Sequence, residues 1–175
     1  MKLPLYQLDA FTSRLFGGNP AAVVVLDQWL PDSMLAAIAA ENNLAETAFV
    51  IPQSGVSPLR WFTPTVEIDL CGHATLATAD VLFRYRFPAL NRIAFSTRSG
   101  ELTVTREGTL LKMDFPARPG RPIGITDTLV SALGARPRET YLARDLLAIF
   151  ESESEVRSLR PDLRRIASLD AFAVT

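Results

Sequence analysis

The chain of 175 residues has one cysteine, Cys71, and one histidine, His73. A lone cysteine excludes an intrachain disulfide, and one Cys with one His is too small a ligand set for a closed zinc site. No metal is therefore expected, and a reducing, cytoplasmic setting is. Charge of one sign is also missing. With 18 basic and 19 acidic residues the net charge is −1, without the basic footprint that a nucleic-acid binder concentrates. No run approaches the roughly 20 apolar residues of a membrane helix, and the first residues lack the charged and apolar regions of a secretory signal. Internal repeats, low-complexity tracts and coiled-coil heptads are absent. Neither nucleic acid nor a membrane is an expected partner. What is present is a chain with 48% hydrophobic residues, enough to build a core.

The patterning alternates between the two structural periods. "LPLYQLDAF" (3–11) and "AAVVVLD" (21–27) read as strands, joined by the turn-rich "TSRLFGGNP", where Asn19-Pro20 disfavours helix. "DSMLAAIAAENN" (32–43) reads as a helix, with Asp32 as N-cap and Asn42-Asn43 as its stop. "AETAFVIP" (45–52) and "LRWFTP" (59–64) are further strands, separated by a turn at "QSGVSP". "CGHATLATADVLFRYRF" (71–87) reads as a largely apolar helix, of the kind that lies inside a sheet. Strands at 92–97, 100–107 and 109–116 follow, with short connections that imply antiparallel neighbours. The proline-rich 116–124 is the linker candidate. Beyond it come a capped helix at 125–134, the strands "ETYLAR" and "DLLAIFES", a broken helical stretch through "SEVRSLRPDLRRIASL" and a final strand "DAFAVT". The division expected is a first lobe at 1–117 and the beginning of a second at 118–175.

Two stretches carry candidate chemistry. In "NLAETAFV" (43–50) both period-2 faces of the strand are mostly apolar, yet Glu46 sits among them. It is either an exposed charge at a strand edge or a carboxylate placed in a cleft, since carboxylates are seldom buried without a partner. In "EIDLCGHAT" (67–75) a strand and turn feed the apolar helix. Gly72 permits close approach of a ligand, and the amides of Gly72, His73 and Ala74 lie near the helix start, where unpaired N–H groups favour an anion such as a substrate carboxylate. His73 reads either as a packing or capping histidine or as a proton donor and acceptor beside that anion, paired with Glu46. Cys71 reads as a small buried hydrophobe before it reads as a nucleophile. Glu67 and Asp69 are strand-end or turn acids, and "GGN" (17–19) lacks the spacing of a dinucleotide fingerprint.

The blocks "DAFTSRLFGGNPAAVVVL", "AAENNLAETAFV", "FTPTVEIDLCGHATLATADVLF" and "VRSLRPDLRRIASLDAFAVT" resemble, in order, the PhzF-like family named for the phenazine-biosynthesis isomerase. The resemblance implies an α+β, diaminopimelate-epimerase-like fold, in which each of two lobes curls a mainly antiparallel sheet round a central helix, here at about 73–87, with the active site in the cleft between lobes. It implies a proton-transferring role for Glu46, a cleft position for Gly72 and His73, and amides for the substrate carboxylate there and at Ala74. Asn19, Asp69 and Cys71 complete the candidate site, Cys71 standing where related epimerases carry a catalytic thiol. The activity implied is isomerisation or epimerisation of a small carboxylic acid by proton transfer, similar to trans-2,3-dihydro-3-hydroxyanthranilate isomerase, with no metal or organic cofactor, in a homodimer. The family's second lobe continues with a Thr-Gly-Ser block opening its own central helix, whereas this sequence stops at Thr175, so the second lobe is expected to be incomplete. The alternative is a non-catalytic binding or interaction protein retaining the first lobe.

Overall fold

Strand-forming sequence in the first part of the chain yields β1 (Leu5–Ala10), β2 (Asn19–Val25), β3 (Glu46–Val50), β4 (Val56–Phe62), β5 (Glu67–Ile68), β6 (Arg92–Thr97), β7 (Gly100–Glu107) and β8 (Leu110–Asp114). The structure is a computed structural model describing residues 2–175. Two compact units emerge, one ending at Phe115 and the other running from Pro116 to Thr175. In the first, the strands form a single eight-stranded sheet in the order β1-β2-β3-β4-β6-β7-β8, with β5 beside β4. Pairing is antiparallel except at β2–β3 and β4–β6.

The apolar helix α2 (Gly72–Tyr85) is the centre of this unit. It packs on β1, β2 and β3 at one end of the sheet and on β8 at the other, so the sheet curls round it. Its small residues Ala74, Ala77 and Ala79 and its larger Val81, Leu82 and Phe83 are all buried against β2, β3, β4, β6 and β7. Thr75 and Thr78, also buried, satisfy their hydroxyls on the carbonyls four residues back, which lets polar side chains sit inside the helix packing. The helix ends at Tyr85, short of the expected 87, three residues before Pro88.

The opposite face of β2 and β3 is covered by α1 (Asp32–Asn42), through Val24, Leu26, Leu35, Ala39, Phe49 and Phe62. Being buried on both faces is why β3 reads as apolar on both. Asn43, in the left-handed conformation at φ 49°, closes α1, and Asn42 Nδ2 donates to Thr47 Oγ1 at 3.1 Å, tying the helix end to the start of β3. The expected N-cap is corrected: Pro31 holds that position without a side-chain bond, and Asp32 is the first helical residue. Its carboxylate lies 2.9 Å from Arg60 Nη1, and that guanidinium holds the Asp32 carboxyl below its usual range.

Asn19-Pro20, expected in a turn, opens β2 instead. Pairing to β3 begins only at Ala21, so Pro20, which has no N–H to give, lies where that side of β2 has no neighbour. Gly18, the residue before Asn19, has no substitute, because a Cβ there would collide with the Ala10 carbonyl oxygen and lie 2.7 Å from Thr12 Cγ2.

The second unit holds β9 (Arg121–Pro122), α3 (Asp127–Leu133), β10 (Glu139–Leu142), β11 (Leu146–Ile149), α4 (Glu153–Ser158) and α5 (Leu163–Ile166). Its three strands pair in the order β11-β10-β9, so the proline-rich stretch expected to be only a linker contributes a short strand. Thr126 Oγ1 accepts from Leu129 N at 3.2 Å to cap α3, and Leu129, Leu133 and Leu146 form a small core. The last residues are not a strand as expected. They meet β11 in one isolated bridge, Leu146 to Val174, with the amides of Leu146, Ala148 and Thr175 donating across it.

Candidate functional site

Glu46 is the first residue of β3 and shares its sheet face with Ala48 and Val50, which pack on α2. Its carboxylate therefore points toward the helix side of the sheet, at the end of the strand, where burial is incomplete: 18% of the side chain stays exposed. His73 lies in the first turn of α2 with 9% of its side chain exposed. The two meet with His73 Nε2 and Glu46 Oε2 3.1 Å apart. They lie side by side rather than in hydrogen-bond alignment, and both atoms are buried without a hydrogen-bond partner. Such atoms are rare in folded proteins and costly, by about 1–3 kcal/mol each. Here they share one spot, at the buried end of a Glu46 side chain that is itself only partly covered.

On the other side of the imidazole, Cys71 Sγ lies 3.5 Å from His73 Nδ1. Cys71 is the N-cap residue of α2 in extended conformation and is buried. Burial pushes its thiol up to about 12, with the neighbouring Glu46 charge acting in the same direction and the amides of Ala74 and His73 opposing it. The thiol keeps its proton at neutral pH, which removes it as a base or nucleophile. The donor atoms of Glu46, Cys71 and His73 lie within 4.8 Å of one another. Because the two ring nitrogens face different neighbours and the sulfur is protonated, the arrangement as it stands suits hydrogen bonding and proton movement.

Gly72 opens α2, and its amide and those of His73 and Ala74 are among the N–H groups at the helix start that lack intrahelical acceptors. A Cβ on Gly72 would make only ordinary contacts, 3.5 Å to Phe115 Cζ and 3.6 Å to Met113 Cε. The protein's own packing does not require glycine at this position. Ala74 is fully buried in the core, its amide included, so it presents no surface to a ligand. Asn19 is exposed on β2, two residues before Ala21, the register partner of Glu46, and on the same sheet face. Asp69 is exposed after β5, and its carbonyl accepts from Ser99 Oγ at 2.8 Å.

Glu67 is likewise structural, with both carboxylate oxygens on Arg60 at 2.8 and 2.7 Å and Oε2 also 2.7 Å from Arg98 Nη2. One residue escaped the sequence reading. Trp61, 1% exposed, lies opposite Ala48 on the helix-facing side of β4, diagonal to Glu46, and its Nε1 is the other buried side-chain polar atom without a partner among the described residues. The alternation of Leu59 and Trp61 on that face was the available signal.

Comparison with known proteins bears on this geometry. Residues 8–175 match the PhzC-PhzF family, described as phenazine biosynthesis-like protein. The chain is 51% identical over 174 residues to an uncharacterised isomerase of Pseudomonas aeruginosa, covering 99% of this chain and 67% of that protein. The crystal structure of a phenazine biosynthesis protein of the PhzF family from Enterococcus faecalis superposes with a TM-score of 0.90 at 46% identity, over 98% of this chain and 66% of that one. A hydroxyproline epimerase from Agrobacterium vitis shares the fold at a TM-score of 0.53 and 10% identity, over 95% of this chain and 53% of its own. The chain thus spans about two thirds of the length of its near relatives.

Proposed function

The chain belongs to the PhzC-PhzF family of phenazine biosynthesis-like proteins, and on that premise we propose that it is an isomerase or epimerase that moves a proton on a small carboxylic acid, with Glu46 as the acid/base. The observation that carries this reading is the buried, unpartnered Glu46 Oε2 held 3.1 Å from His73 Nε2. A carboxylate in that state has a lone pair ready for a substrate proton and a neighbour able to stabilise or return it. The helix start at Gly72 and His73 holds the substrate carboxylate close by, where partial positive charge favours an anion and increases the acidity of the adjacent C–H.

The steps balance without an added reactant. Glu46 takes a proton from carbon, the electron pair moves toward the acid function or an adjoining double bond, and Glu46 or His73 delivers a proton to a different carbon or to the opposite face. Support for this class comes from the relatives, of which one is named an isomerase and a more distant one an epimerase. The substrate proposed is a small amino- or hydroxy-carboxylic acid, possessing a C–H next to an electron-withdrawing group.

The test is incubation of the protein in deuterium oxide with a panel of such acids, followed by proton NMR. Loss of one carbon-bound proton signal, with an isomer or epimer appearing, is the expected result. A panel of cyclic and acyclic members with no exchange at any carbon contradicts the reading.

A further inference from the structure

His73 is the sole histidine of the chain and its two ring nitrogens face chemically different neighbours, Cys71 Sγ at 3.5 Å from Nδ1 and Glu46 Oε2 at 3.1 Å from Nε2. A neutral imidazole carries one proton, and its location is set by what each nitrogen faces. We propose that Cys71 is a positioning residue whose S–H donates to His73 Nδ1 and thereby holds the imidazole as the Nε2–H tautomer, with that proton beside Glu46.

An ionised carboxylate only accepts, so a bare Nε2 lone pair 3.1 Å from Glu46 Oε2 is repelled, whereas Nε2–H is attracted. That choice leaves Nδ1 as a lone pair in a buried position, where it needs a donor. The group facing it is a thiol that burial keeps protonated, and of the two acceptors near that thiol, Nδ1 and the Glu46 carboxylate, the carboxylate already has Nε2–H beside it and Nδ1 has no other donor. A thiolate would demand the reverse tautomer and place two anions and a lone pair in one pocket. The helix supplies the spacing: Cys71 caps α2 in extended conformation, and His73 follows in the first turn, so the thiol and ring meet two residues apart.

The inference rests on the acid/base reading for its catalytic meaning, since an Nε2–H beside Glu46 can stabilise the carboxylate and return a proton. Its test does not depend on that reading. Two-bond proton–nitrogen correlation spectra of the ¹⁵N-labelled protein report the tautomer of its single imidazole directly, without substrate, at a pH where the same spectra show the ring to be neutral. Wild type is expected to show a protonated Nε2 and a lone-pair Nδ1. Cys71→Ala is expected to give averaged shifts from a tautomer mixture, and Cys71→Ser, which keeps a hydroxyl donor, to restore the wild-type pattern. Protonated Nδ1 in wild type, or nitrogen shifts that Cys71→Ala leaves unchanged, overturns the proposal. Failure of the exchange assay with the tautomer pattern intact would instead count against the catalytic reading alone.

Discussion

Glu46 Oε2 lies 3.1 Å from His73 Nε2, across the gap between the first residue of a strand and the first turn of the helix that the sheet encloses. The residues are 27 positions apart in sequence, and their meeting depends on the curl of the sheet round α2. Both chemical groups sit at the ends of regular elements, where side chains are held by the core yet remain reachable.

Gly72 separates stability from function. Nothing in the protein opposes a Cβ there, so Gly72→Ala is expected to leave the fold intact and raise its stability by up to about 1 kcal/mol, because glycine pays the larger backbone entropy. A methyl group over the amides should weaken substrate binding, with KM rising about tenfold or more as a charge-assisted bond is lost. Urea melts and steady-state kinetics on the one variant check both signs.

Gly18 is the opposite case. A Cβ would run into the Ala10 carbonyl oxygen and Thr12 Cγ2 in the β1–β2 connection. Gly18→Ala is expected to cost about 1–3 kcal/mol, the usual range for overpacking, read as a lower urea midpoint with an unchanged slope.

Cys71 gives a pH dependence. Its thiol goes from an ordinary 9.0 to about 12 in the folded protein, mainly through burial. The folded state then binds the proton more tightly than the unfolded state, so this contribution is fully present below about pH 9 and is lost as pH rises toward about 12. Wild type should lose stability relative to Cys71→Ala across that window, by at most about 1.4 kcal/mol per pH unit. A difference between the two proteins that does not change with pH contradicts the assignment.

Much of the first unit was legible because its periods are clean. β6 and β7 begin and end where the alternation does, at Arg92–Thr97 and Gly100–Glu107, and the apolar composition of α2 matches its place inside the sheet. Ends governed by tertiary context were not legible. Asp32 was drawn to Arg60 rather than to the helix amides. Pro20 was admitted to β2 because β3 starts one residue later in the register. The strand expected at the last residues is reduced to one bridge, between Leu146 and Val174.

At the candidate site, the sequence could indicate that Glu46 is out of place on an apolar strand, but not which way it points. That follows from α1 covering Phe49 on one face and α2 covering Ala48 and Val50 on the other. Nor could it reveal the unpartnered indole of Trp61, which emerges only from the β3–β4 register.

The central claim is that the Glu46 carboxylate carries the proton. Glu46→Gln keeps the shape of the side chain and removes its basicity, so the decisive measurement is its rate of solvent deuterium exchange into a bound substrate, set beside its affinity for that substrate. Exchange is predicted to fall about 10²–10⁴-fold while affinity holds. Exchange at the wild-type rate in Glu46→Gln would contradict the account.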